Sequence, residues 1–258
     1  MDPRARQRQQ RPPLRALAER YKLPRDAEAK LTMYLELLAS DATAPTAIRD
    51  PQRVLEDHLA DSLVALEVEQ VRSAADAVDL GAGAGLPGLP LAIALPALRV
   101  ALLESSRRKS EFMERAVATC AVPNASVVCE RAELWRAGIG RMDLVTARAV
   151  GPLPVVVEYA APLLRIGGAL VVWRGKREPD VESAAVFAGE YLALELINVV
   201  DAHPYPGARD RHVYVWLKVR ETPAGFPRRP GIALKRPLGT QRNRRPGIEA
   251  DHTPHTAV

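Results

Sequence analysis

The densest run of residues that could do chemistry is Asp79-Leu80-Gly81-Ala82-Gly83-Ala84-Gly85-Leu86-Pro87-Gly88. It follows an apolar run at 75–80 and precedes a helix-like stretch at 89–95, so it reads as a strand–turn–helix junction. Glycines at 81, 83 and 85 let a backbone turn tightly and come close to a ligand. The free N–H groups at the start of the following helix suit an anionic ligand group. Gly83-x-Gly85-x-x-Gly88 alone fits a nicotinamide or flavin fingerprint equally well. Two acids narrow the choice. Glu104 ends the next apolar run, Leu102-Leu103-Glu104-Ser105, where a carboxylate accepts the ribose hydroxyl protons of an adenosine ligand; NAD and S-adenosylmethionine both qualify. Asp79, two places before the first glycine, would repel a pyrophosphate and favours the amino group of S-adenosylmethionine.

The elements that must position this loop follow from periodicity. Leu14, Leu17, Tyr21, Leu31, Tyr34, Leu35 and Leu38 recur at helical spacing, and Pro24-Arg25-Asp26 divides them into two helices with Asp26 as candidate N-cap. A third helix is predicted over 50–68 with Pro51 at its first position and an inner stripe of Val54, Leu55, His58, Leu59, Ser62, Leu63 and Leu66. After residue 73, apolar runs at 75–80, 100–103, 126–129, 144–147, 169–173, 194–200 and 213–219 alternate with helix-like stretches at 89–95, 107–120, 153–164 and 181–190. Such alternation implies a mostly parallel sheet covered on both faces. Only His203-Pro204-Tyr205-Pro206-Gly207 breaks the last gap, so the final two strands read as an antiparallel pair at the sheet edge. The resulting organisation is a disordered basic arm at 1–13, a helical region at 14–72, an α/β domain at 73–220 and a basic tail at 221–258.

Composition bounds the partners. The chain has 258 residues, 47% apolar and 26% charged, as in a globular protein. Two cysteines exclude a disulfide scaffold and point to a reducing, cytoplasmic setting; both are expected to be buried fillers. No apolar run is long enough to span a bilayer, and the arginines at the start are not followed by the apolar stretch of a signal peptide. Residues 1–30 carry nine Lys/Arg against four Asp/Glu, and residues 220–258 carry eight against three, so two basic ends flank an acidic body. They read either as polyanion-binding arms or as solvated tails.

With the glycine loop at its centre, the chain resembles one family, the bacterial small-subunit rRNA guanine-N7 methyltransferases known as RsmG or GidB. The likeness spans about residues 30–238. Its narrowest stretch is the loop with its continuation Leu86-Pro87-Gly88-Leu89-Pro90-Leu91-Ala92. Further matches, in order, are Ile48-Arg49-Asp50-Pro51 with His58-Leu59-Ala60-Asp61-Ser62-Leu63, then Arg131-Ala132-Glu133, Thr146-Ala147-Arg148-Ala149 and the basic segment 227–238. The resemblance implies a class I methyltransferase fold, a Rossmann-like seven-stranded sheet with its last strand antiparallel, preceded by N-terminal helices. It implies S-adenosylmethionine as cofactor, with Gly81 and Leu86 lining its site, Glu104 on the ribose, Ala132 and Glu133 at the adenine, and Arg148 at the active-site mouth. Three places depart from the family pattern: Glu104 stands where Asp is usual, Ser40-Asp41-Ala42-Thr43-Ala44-Pro45-Thr46 replaces a Trp- and Asn-bearing motif, and Arg174-Gly175 replaces Lys-Gly.

Guanine N7 has a free lone pair, so methylation there requires alignment rather than a general base. Neither Cys120 nor Cys129 follows a proline, as a cytosine-C5 nucleophile typically does, and residues 143–149 lack the Asn/Asp-Pro-Pro-aromatic turn of adenine amino-group enzymes. Arg148 suits guanine O6 or a phosphate; otherwise it is a structural ion pair, Glu133 being the candidate partner. His58 with Asp61 reads as a capping or packing pair, or as part of an RNA-facing wall. No metal-ligand spacing is present. Expected partners are 16S rRNA or a small-subunit particle, met by a single copy of the chain through Arg211, Arg228, Arg229, Lys235 and Arg236. Two rivals stay open: a nicotinamide-dependent oxidoreductase using the same loop, and a non-catalytic RNA-binding or assembly protein on a methyltransferase scaffold.

Overall fold

A computed structural model describes residues 14–240. The expected arm at 1–13 and the end of the tail, 241–258, lie outside the described residues. Seven strands form one sheet in the order β3-β2-β1-β4-β5-β7-β6. They are β1 (Asp76–Leu80), β2 (Arg99–Leu103), β3 (Ala125–Val128), β4 (Met142–Arg148), β5 (Leu164–Arg174), β6 (Leu194–Asp201) and β7 (His212–Lys218). All neighbours from β3 to β5 pair in parallel, whereas β7 runs antiparallel to both β5 and β6. The final hairpin thus folds back, leaving β6 at the edge and placing the last strand one position inside it.

The pleat explains how each strand serves both layers. Along β4, Leu144 faces one core and Val145 and Ala147 the other; along β5, Val171 and Trp173 oppose Leu170 and Val172. The first face is covered by α1 (Leu14–Tyr21), α2 (Ala27–Ser40), the winding segment 51–67, α3 (Gly88–Ala94) and α4 (Arg107–Thr119). The second is covered by α5 (Leu153–Ala160) and α6 (Pro179–Tyr191), which pack against each other. The helices of 14–72 therefore share their core with the sheet: Tyr34, Leu31 and Leu38 of α2 are fully buried in it.

Two helix expectations change. Asp26 occupies the N-cap position of α2 without a side-chain capping bond; its carboxylate pairs with Lys30 at 2.8 Å, one turn on. The helix predicted over 50–68 begins as expected, with Asp50 accepting the Arg53 N–H at 2.9 Å and Pro51 first. It then widens to π winding at Val54–Ala60, returns to α at Asp61–Leu63 and tightens to 3₁₀ at Val64–Glu67. Apolar spacing reports the buried side of such a segment, but not its winding. Cys120 is buried as expected; Cys129 is exposed. The tail is likewise not free along its length: residues 221–240 fold back onto α5 and α6, with a short helix, α7 (Ile232–Lys235).

Candidate active site

The strand order reverses between β1 and β4, and at such a switch point the carboxyl ends of the strands open a crevice. Two cavities lie there, on either side of the turn that follows β4.

The first is about 220 Å³ and is lined by Leu80, Gly81, Leu103, Glu104, Ala132 and Glu133, with Val150, Tyr159 and Leu234 opposite. Glycines 81, 83 and 85 all have positive φ, at 61°, 61° and 92°. A side chain at Gly81 would also meet Val150 Cγ2 at 3.1 Å. Glu104 closes the end of β2. Its Oε2 accepts the Gly83 N–H at 3.2 Å and its Oε1 the Ser106 N–H at 2.9 Å, while Lys109 Nζ stands 3.6 Å away. The carboxylate is thus fixed at the rim by backbone donors on both sides. Gly83 and Gly85 lie in the loop beside the cavity, and Leu86 is buried in the core. Tyr34 of α2 donates its hydroxyl to the Ala84 carbonyl at 2.7 Å, bracing the loop from behind.

Asp79 does not meet the expectation of a contact to an amino group. It is fully buried; Oδ2 accepts the Gly88 N–H and Oδ1 the Thr146 hydroxyl, each at 2.8 Å. Burial pushes its carboxyl up to about 7, against the opposing pull of those two donors. Its role is to tie β1, β4 and the start of α3 together. Gly88 is the complement of this contact, since a Cβ there would lie 2.7 Å from Asp79 Cβ.

The second cavity, also about 220 Å³, is lined by Asp61, Arg148, Ala149, Trp173, Arg174, Gly175, Ala202, Arg211 and His212. Arg148 pairs with Asp61 Oδ2 at 2.9 Å and also donates to the Asp57 and His58 carbonyls at 3.3 and 3.4 Å. The partner of Arg148 is therefore Asp61, while Glu133 accepts from the Gly231 N–H at 2.9 Å. His58 does not pair with Asp61; its Nε2 meets the Thr46 hydroxyl at 2.8 Å. Burial and the nearby Arg148 cation hold His58 down at about 4. Arg211 stands 3.6 Å from both Asp57 Oδ1 and Asp61 Oδ1, and Tyr205 donates to Asp57 at 2.7 Å. Trp173 Nε1 donates to the Asp61 carbonyl at 2.7 Å. Both nitrogens of His212 are engaged, Nδ1 with the Gly175 carbonyl at 2.7 Å and Nε2 with Asp201 at 3.1 Å.

The five basic residues expected at an RNA face separate. Arg211 belongs to the second cavity. Arg228 is held inward by Glu158, itself 1% exposed, through two bonds, one of them 2.6 Å from Nε. Such a buried pair is spent on folding, which corrects the expectation for Arg228. Arg229, Lys235 and Arg236 are exposed. Trp173, Val150, Tyr159 and Leu234 were not singled out as site residues; they are ordinary apolar or aromatic residues, and only the fold brings them to the crevice. Among the described residues no cluster could hold a metal ion, and no helix is long and apolar enough to cross a membrane.

The donors and shape of the first cavity fit an adenosine ligand: positive-φ glycines in the loop beside it and a carboxylate fixed at its rim. The comparisons with known proteins agree. A small-subunit rRNA methyltransferase G family model (GidB) matches residues 27–203. The ribosomal RNA small subunit methyltransferase G of Chloroflexus aggregans is 37% identical over 220 residues, covering 81% of this chain and 90% of its own length. Among solved structures, a SAM-dependent methyltransferase from Aquifex aeolicus shares the fold with a TM-score of 0.52 at 16% identity, over 66% of this chain and 94% of that one. The [4+2]-cyclase SpnF does so with a TM-score of 0.53 at 16% identity, over 76% and 97%. A cyclase on the same sheet shows that the fold alone does not fix the chemistry. Sequence kinship over most of the chain decides what the fold leaves open: the protein belongs to the rRNA small subunit methyltransferase G family.

Proposed function

We propose that this protein transfers a methyl group from S-adenosylmethionine to N7 of a guanine in small-subunit ribosomal RNA. The observation that carries the reading is the second cavity, which opens beside the cofactor crevice and is walled by a fixed arginine and a tryptophan. All three bonds of Arg148 leave from Nη1, so Nε and Nη2 remain for a base edge. A guanidinium donor there suits guanine O6, with N7 kept clear of it, because a nucleophilic lone pair cannot also accept a hydrogen bond.

When bound, S-adenosylmethionine supplies a methyl group on a sulfonium centre. The residues of the chain align and shield. Glu104 orients the ribose through its hydroxyls, and the glycines at 81 and 83 admit the ligand close to the backbone. Arg148 holds the base, and Trp173 excludes water from one side of it. Asp61 binds Arg148 through Oδ2 while its buried Oδ1 makes no hydrogen bond, and His212 is engaged at both nitrogens, so what the lining chiefly supplies is fixed cations and hydrogen bonds. N7 methylation asks for no more than that, because its lone pair is already free. Arg229, Lys235 and Arg236 serve as phosphate contacts.

The test is methyl transfer from labelled S-adenosylmethionine to naked rRNA and to small-subunit particles, followed by nucleoside digestion. N7-methylguanosine at one site is the expected product. Label in another nucleoside, or none with either substrate, refutes the reading.

A further inference from the structure

The family model ends at residue 203, yet a wall of the cofactor cavity comes from beyond it. We propose that residues 227–238 form a strap that completes this cavity, with Leu234 as the side chain packing against the adenosine; the proposal rests on the cofactor reading above.

Three anchors fix the strap. Arg228 binds buried Glu158 of α5 and donates to the Arg236 carbonyl at 2.9 Å, closing the strap into a loop. Its guanidinium also lies 5.8 Å over the Phe226 ring, which packs edge-on against Tyr191 of α6 at 5.9 Å. Gly239 is pressed onto α6 so closely that a Cβ would lie 2.2 Å from the Ala184 carbonyl oxygen. Between these anchors Gly231, in the left-handed region at φ 79°, aims its N–H at Glu133, a residue of the cavity lining. That bond sets the start of α7 over the crevice.

Leu234 is the consequence. It is 54% exposed, one of the most open large apolar side chains among the described residues, and it lines the cavity with Gly81, Glu104, Val150 and Tyr159. An apolar side chain held by its backbone in the open costs burial that a flat aromatic ligand would restore. The surrounding chemistry selects the adenosine end: Glu104 offers a carboxylate for the ribose hydroxyls, and Ala132 and Leu103 offer a second apolar surface. A segment whose sequence reads as a basic RNA arm thus turns one arginine inward as a rivet and one leucine toward the cofactor, and leaves Arg229, Lys235 and Arg236 outside.

Calorimetry on the full-length protein tests this with S-adenosylhomocysteine and with 5′-methylthioadenosine, which keeps the adenosine but lacks the amino-acid end. Leu234→Asp should weaken both by about tenfold, the effect of losing one partly buried leucine contact, while Leu234→Met retains wild-type affinity. Ligand-free melting should be unchanged in both variants, because the side chain is open in the folded chain. Undiminished binding of both ligands by Leu234→Asp, with wild-type protein binding normally, overturns the strap alone. Wild-type protein that binds neither ligand overturns the cofactor reading and the strap with it.

Discussion

The two cavities at the carboxyl end of the sheet are built in opposite ways. The cofactor side is made from backbone: positive-φ glycines, N–H donors and one carboxylate pinned between Gly83 and Ser106. The acceptor side is made from interlocked side chains, in which Arg148, Asp61, Arg211, Asp57 and Tyr205 hold one another. A backbone cradle fixes a ligand that is the same in every turnover. A charged lattice, by contrast, can part with one contact and keep the rest when a base and its phosphates enter.

If that contrast is right, breaking the lattice should damage folding as well as turnover. Arg148→Ala leaves Asp61, 6% exposed, without its closest cation. We expect a loss of about 3 kcal/mol in urea unfolding, the scale for orphaning one member of a buried pair, together with at least about a hundredfold loss of methyl transfer. Wild-type stability in this variant would show the lattice to be loose.

The halves should also differ in their response to pH. His58, held at about 4, stays neutral in the folded protein while an unfolded histidine takes up a proton near pH 6.5. Its contribution is present above 6.5 and lost as pH falls toward 4, on the order of 2 kcal/mol. Asp79 behaves in the opposite sense. Its folded value of about 7 lies above the unfolded one, so its contribution is complete below about pH 4 and fades as pH rises through 7. Melting temperatures from pH 4 to 8 should therefore flatten on the acid side in His58→Gln and on the neutral side in Asp79→Asn. Parallel curves for wild type and both variants would remove the distinction.

On the cofactor side the damage should be to affinity. Gly81→Val meets both a positive φ and Val150, and should cost about 2 kcal/mol of S-adenosylhomocysteine binding. Glu104→Gln keeps the shape and loses the charge, for which we expect roughly a tenfold weaker Kd. Smallest of all, Lys235→Ala should weaken RNA binding about twofold and lower its salt dependence, with cofactor affinity unchanged. Calorimetry and filter binding separate these outcomes.

The same contrast decides what could be read from the sequence. Backbone cradles demand glycines in consecutive turns, so residues 79–88 announced themselves, and the mostly parallel sheet with its closing antiparallel pair followed from alternating patterns. The acceptor lattice draws on residues 57, 61, 148, 173 and 211, which no spacing rule connects. Asp61 was noticed but given to His58, its helical neighbour, because the π winding at Val54–Ala60, beside which Arg148 meets the Asp57 and His58 carbonyls, has no signature in the chain. Asp79 was misjudged for a related reason: an acid at a strand end reads alike whether it faces a ligand or a buried N–H. The basic segment 227–238 deceived by composition, since charge does not tell which arginine meets a buried glutamate.

Tyr34 sets a practical boundary on how the enzyme can be divided. Its ring is fully buried and its hydroxyl carries the Ala84 carbonyl, so a shortened chain starting at the first strand would expose an unsupported nucleotide loop and the apolar sheet face beneath it. The catalytic half cannot be excised as an independent module; the leading helices are a foundation and must be retained in any minimal version.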